Sequence, residues 1–73
     1  MSTMNEARFT AWLRQQHTRH DPVGDLARDL KRDPAWPANA TTLPTFELHL
    51  ARMGACRGAT EALQHAFTEW QSS

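Results

Sequence analysis

The run His20–Pro37, HDPVGDLARDLKRDPAWP, decides how the rest of the chain is read. Asp21 followed by Pro22 marks a helix start, because the carboxylate accepts from unpaired N–H groups of the first turn and proline at the first helical position sacrifices none that was needed. Val23, Leu26, Ala27 and Leu30 then recur at three- and four-residue steps, the spacing of one helix face. That face needs a partner. Asp25 and Asp29 stand one turn apart on the other side, with Arg28 and Arg32 three residues beyond each, a spacing that predicts two ion pairs. Asp33-Pro34 and Trp36-Pro37 end the helix, since a residue before proline is pushed away from helical geometry. Trp36, between two prolines, is read as a ring on a stiff, extended tether that closes the end of a core. Gly24 is a poor helix former one turn into the helix, so another backbone or ring is expected to approach closely there.

Working outward, Phe9, Trp12 and Leu13 form an apolar patch on a first helix over 6–16, followed by the polar link His17–His20. The segment DPAWPANATT (33–42) is a loop. Thr42 is the expected N-cap of a third helix with Pro44 in its first turn and Leu43, Phe46, Leu50 and Met53 as its inward stripe. Leu48 lies off that stripe, so the helix is either buried on two sides, the expected arrangement for a middle helix, or carries an apolar spot in solvent. Gly54 stands where a helix-ending glycine belongs. A fourth helix over 57–71 turns Ala59, Leu63, Ala66, Phe67 and Trp70 inward. No alternating run long enough for a strand appears, so the fold class is all-α, a compact bundle of four short helices in one domain spanning 6–71, with 1–5 frayed.

With 73 residues the chain is near the lower limit for a single core, and its one cysteine, Cys56, allows no disulfide framework. Eight basic and eight acidic residues cancel, leaving no net field to attract nucleic acid or an anionic membrane. No secretory signal and no run of roughly 20 apolar residues is present, so a cytoplasmic protein is expected.

Residues with chemical potential are weighed against ordinary roles. The row Asp21, Asp25, Asp29 and Asp33 lies along one helix and its ends rather than converging, which reads as a solvated, ion-paired face. Asp25 is expected to accept hydrogen bonds from a neighbouring loop. His17, His20, His49 and His65 lack zinc-ligand spacing, Cys56 is read as a small buried hydrophobe, and no metal or cofactor is expected. No nucleophile triad, phosphate loop or dinucleotide fingerprint occurs, so a non-catalytic chain is expected. Arg28, Lys31 and Arg32, joined by Arg14 and Arg19, are the one basic cluster, blunted by the interleaved aspartates.

Together these residues resemble the YozE-type proteins, a family of small bacterial proteins whose fold is similar to a sterile alpha motif. The resemblance runs from FTAWL (9–13) through Asp21, Pro22, Gly24, Asp25, Leu26, Ala27, Asp29, Arg32, Asp33, Trp36 and Pro37 to LQHAFTEW (63–70). The third helix departs from it, LPTFELHLARMGAC replacing a more acidic segment, so partner contacts there do not carry over. The resemblance implies a role in contacts rather than catalysis. The expected function is a protein-interaction module using Asp25, Arg28, Asp29, Arg32 and Leu48, toward another protein or a second copy, with Asp21, Pro22, Gly24, Trp36 and Pro37 structural. The alternative is nucleic-acid binding through the basic cluster.

Overall fold

In the computed structural model, which describes residues 8–72, the chain forms α1 (Arg8–Arg14), a 3₁₀ turn (Gln15–Thr18), α2 (Pro22–Lys31), α3 (Leu43–Arg52) and α4 (Arg57–Ser72). The expected all-α class is observed among these residues. The frayed 1–5 segment and the start of the first helix at Glu6 lie outside the described residues. α1 is shorter than expected at its C-terminal end, because Gln15–Thr18 tighten into the 3₁₀ turn and so bring the chain round to α2.

The four helices meet at α4, the longest, which packs against α1, α2 and α3. Phe9, Phe46 and Phe67, one each from α1, α3 and α4, form the centre, with ring centroids 4.9–6.4 Å apart. Leu13 and Leu63 are fully buried beside them, and the α2 face of Val23, Leu26, Ala27 and Leu30 is buried as its spacing requires. Such burial supplies most of the stabilisation available to a chain of this size.

Trp36 closes this core, only 7% exposed, with its ring stacked on Phe46 at 5.2 Å. Its indole Nε1 donates to Thr10 Oγ1 at 3.0 Å, so the one polar group on the ring is satisfied inside the fold. Thr10 is itself 1% exposed, a buried polar residue on α1 whose reason is this bond. The approach to Trp36 is not extended. Asp33, Pro34, Ala35 and Trp36 form a turn, the Trp36 N–H donating to the Asp33 carbonyl at 3.2 Å and the Ala35 N–H to Asp33 Oδ1 at 2.9 Å. Asp at the first and Pro at the second position favour that turn.

The α2 start is as expected: Asp21 Oδ1 accepts from the Gly24 N–H at 2.9 Å and Pro22 occupies the first turn. Gly24 is buried against the Arg19 carbonyl, and a Cβ at this position would overlap that oxygen. Thr42 occupies the cap position of α3 but its hydroxyl makes no backbone cap, pairing instead with Thr45 Oγ1 at 3.0 Å. Gly54, at φ 72°, ends α3, with Gly54 N–H bonded to Ala51 O and Ala55 N–H to Leu50 O. Those two bonds satisfy carbonyls the helix end leaves open.

Three burial expectations are corrected. Leu48 is 53% exposed and Met53 59%. Among the described residues α3 packs on α4 and, through Phe46, on Phe9 of α1 and on Trp36, so a single stripe through Phe46 and Leu50 is covered; Leu48 falls off it and Met53 sits at the C-cap, where the helix ends. Cys56 is exposed, because it lies in the link just before α4, outside the buried face.

Trp36→Ala is expected to destabilise the protein by about 3–5 kcal/mol, and Thr10→Val, which strands the indole N–H, by about 1–3 kcal/mol in chemical denaturation. An unchanged midpoint for either contradicts the buried pair. Gly24→Ala, which helix propensity alone favours, is expected instead to cost about 1–3 kcal/mol because of the Arg19 carbonyl.

Candidate functional site

The amphipathic faces of α2 and α4 meet at their apolar edges and diverge toward solvent, leaving a groove of about 700 Å³. Val23, Leu26, Ala59 and Ala62 supply its apolar lining, and carboxylates from both helices stand along it: Asp21, Asp25 and Asp29 on the α2 side, Glu61 and Glu69 on the α4 side. The i, i+4 spacing of Asp21, Asp25 and Asp29 brings them to this one side. The groove continues into a hollow of about 290 Å³, sharing Leu26, Asp29 and Ala59, where Leu50, Met53 and the edge of Trp36 meet. Exposed Met53 therefore borders an apolar surface rather than standing alone.

One end of the groove is closed by Arg19. Its guanidinium donates to Asp21 Oδ2 at 2.7 and 3.0 Å and to Glu69 Oε2 at 2.8 Å, joining the α1–α2 link to α4. Glu69 first, then Asp21, raise the Arg19 pKa, while Arg19 and then the Gly24 N–H hold the Asp21 carboxyl below its usual range. Asp29 and Glu61 make no ion pair among the described residues, so their charge is available along the groove.

The sequence-predicted partner residues separate into different places. Asp25 and Asp29 line the groove. Arg28 does not bind outward: its Nη1 donates to the carbonyls of His17 at 2.6 Å and Arg19 at 3.0 Å while Nη2 pairs with Asp25. The loop contact expected of Asp25 thus belongs to Arg28, whose longer side chain and several donors reach both carbonyls. The expected Asp29–Arg32 pair does not form, Arg32 being the C-cap residue at the end of α2. Arg32 instead borders both the hollow that holds Asp29 and, with Arg14 and Lys31, an adjoining concavity of about 530 Å³ beside Pro34 and Ala38. Leu48 borders neither surface.

Two long-range polar contacts had no local signal. His49 Nε2 and Asp33 Oδ2 lie 2.6 Å apart, joining α3 to the turn before Trp36, and the imidazole stands edge-on to the Trp36 ring at 5.6 Å. His49 is thus a polar side chain held between the turn and the Trp36 ring. The Asp33 carboxyl is held below its usual range by His49 and, more weakly, by the Ala35 N–H. The Arg19–Glu69 pair bridges 50 positions of sequence. Among the described residues no three His, Cys, Asp or Glu side chains converge as metal ligands, and no helix is long and apolar enough to cross a membrane.

The family model for the YozE SAM-like fold matches residues 9–72. The chain belongs to this family. The match takes in α2, the Trp36 turn and all of α4, so both sides of the groove lie inside the YozE SAM-like domain. No curated protein and no solved structure matches. The family description specifies a fold and no activity, which leaves function to the surface.

The Asp33–His49 contact has a defined acid dependence. Because the folded-state Asp33 pKa lies below the ordinary value of 3.8, its stabilisation is full above that value and is lost as pH falls through the lower, folded one. Asp33→Asn is expected to lower the melting midpoint at neutral pH and to make it less sensitive to acid below about pH 4, the residual sensitivity coming from Asp21. Parallel acid limbs for wild type and variant would exclude this role.

Proposed function

We propose that this YozE SAM-like domain is a non-catalytic protein-interaction module whose binding surface is the α2–α4 groove, and that its partner presents a cationic amphipathic segment. The observation that carries this reading is an apolar lining flanked by carboxylates from both helices, with Asp29 and Glu61 unneutralised. An apolar strip in the partner covers Val23, Leu26, Ala59 and Ala62 while flanking Lys or Arg side chains meet the carboxylates, so the two forces select the same ligand. The hollow at Leu50, Met53 and Trp36 adds a place for one larger apolar side chain.

Nucleic-acid binding is the second reading, and one observation favours it. Asp25 and Asp29 line the α2–α4 groove and Asp33 is engaged by His49, while Arg14, Lys31 and Arg32 have no ion-pair partner among the described residues. Three cations engage about three phosphates, which corresponds to a log–log salt slope of about −2 to −3. Affinity for an oligonucleotide that does not fall with salt excludes this reading.

Cys56 lines the groove and is exposed, so its alkylation rate reports occupancy. A short helical Lys/Leu amphipathic peptide is expected to slow that reaction, while a leucine-free lysine peptide does so much less. Asp29→Asn and Glu61→Gln are each expected to weaken the peptide about two- to fivefold, and added salt to weaken it further. Equal protection by both peptides, or indifference to both substitutions, would remove the groove as the binding surface.

A further inference from the structure

The two ends of the α2–α4 groove differ, and the difference specifies what the partner offers, an inference that rests on the groove being the binding surface. We propose that the partner segment is the C-terminus of a chain, its last apolar side chain in the hollow at Leu50, Met53 and Trp36 and its terminal carboxylate on Arg32. At one end of the groove Asp21 and Glu69 are bridged by Arg19, whose guanidinium is fully engaged by them. At the other end Asp29 and Ala59 lead into the hollow. Arg32 is the one cation bordering that hollow among the described residues, and it makes no ion pair. The carboxylate nearest it beyond α2, Asp33, is held by His49.

The order of charge and shape along the groove selects a chain end. Carboxylates line it as far as Asp29, so the body of the occupant is cationic. Three residues on, about 4.5 Å along the helix axis, the sign changes at Arg32. An apolar side chain and a carboxylate are therefore wanted in one place, and a C-terminal residue carries both on a single Cα. Pro34 and Trp36, from the turn after α2, and Met53, at the end of α3, border the hollow, so the groove stops there. A guanidinium matches a carboxylate with two parallel N–H bonds, and a helical partner also turns the negative end of its dipole toward Arg32. Exposed, unbranched Met53 adapts to the side chain that enters. The occupant is thus basic and amphipathic, ends in a large apolar residue, and carries Lys or Arg about one turn earlier to meet Asp29.

Fluorescence anisotropy of Lys/Leu peptides labelled at the N-terminus and ending in leucine, titrated with the full chain, tests the proposal. The free acid is expected to bind about three- to fivefold tighter than the C-terminal amide, the scale of one partly exposed ion pair. Net charge alone predicts the reverse, because the amide is the more cationic peptide and the groove is acidic. Two glycines added after the leucine, which carry the carboxylate away from Arg32, are expected to weaken binding as the amide does. Arg32→Gln is expected to abolish the preference for the acid; Arg32 is exposed and caps α2 through its backbone N–H, so the fold is spared. Arg52→Gln, at an exposed position bordering neither groove nor hollow, is expected to keep it. Cys56 follows Ala55 of the hollow, so a thiopyridyl-activated cysteine in the last turn of the peptide is expected to exchange with Cys56 faster than one in the first turn. Equal binding of acid and amide, a preference that survives Arg32→Gln, or faster exchange from the first turn overturns the proposal. If acid and amide bind equally while Asp29→Asn and Glu61→Gln weaken both, capture of a terminus fails and the groove reading stands; if neither peptide binds, both fail. N-acetylleucine that displaces the peptide with the affinity of the peptide itself makes the hollow a small-molecule site and likewise overturns the proposal.

Discussion

The Arg19 carbonyl resting on Gly24 is the constraint from which the arrangement of α1, α2 and α4 follows. The 3₁₀ turn brings the chain back sharply, and the helix it must meet can be approached that closely only where there is no Cβ. The same carbonyl accepts from Arg28, and the side chain of Arg19 reaches Asp21 and Glu69. A single elbow therefore sets the start of α2, its distance from the preceding turn and its relation to α4. The groove between α2 and α4 is a product of that elbow, with Arg19 closing one end.

The other end of the domain depends on Trp36. A ring on a loop is held in place because three kinds of contact agree: stacking on Phe46, a hydrogen bond to Thr10, and the edge contact with His49. His49 is in turn anchored to Asp33, the residue that begins the turn leading to the ring. The loop is thus tied to α1 and α3 without any regular structure of its own, which is how a chain of this size covers a core that four short helices leave open.

Charge organisation connects these two ends to function. Of the four α2-region cations, Arg19 and Arg28 are consumed by the elbow, whereas Lys31 and Arg32 are left at the surface with Arg14. Of the acidic row, Asp21 caps the helix, Asp25 neutralises Arg28, and Asp29 is left along the groove with Glu61. Architecture uses up one subset of charges, and the remainder stands at the surface, with Asp29 and Glu61 along the groove, Arg14 and Lys31 around the neighbouring concavity, and Arg32 bordering the hollow between them. A charge-neutral chain belonging to the YozE SAM-like family thereby carries a groove lined mainly by carboxylates.

By itself the sequence determined the local features: four helical segments, the Asp21-Pro22 start, the close approach at Gly24, the Gly54 stop, the apolar stripes and the closing role of Trp36. These are legible because caps, glycine and proline geometry, and helix periodicity act over a few residues, and the family motif recorded many of them together. The Asp25–Arg28 pair was also legible from its spacing, whereas tertiary structure alone decided the long-range pairs, that Leu48, Met53 and Cys56 are exposed, and that Thr10, His49 and Glu69 have partners on distant segments. It also brought the carboxylates of α2 and α4 together along one groove. The physical reason is that side-chain partnership and exposure depend on which helix covers which face, and that choice is made by packing across the whole chain.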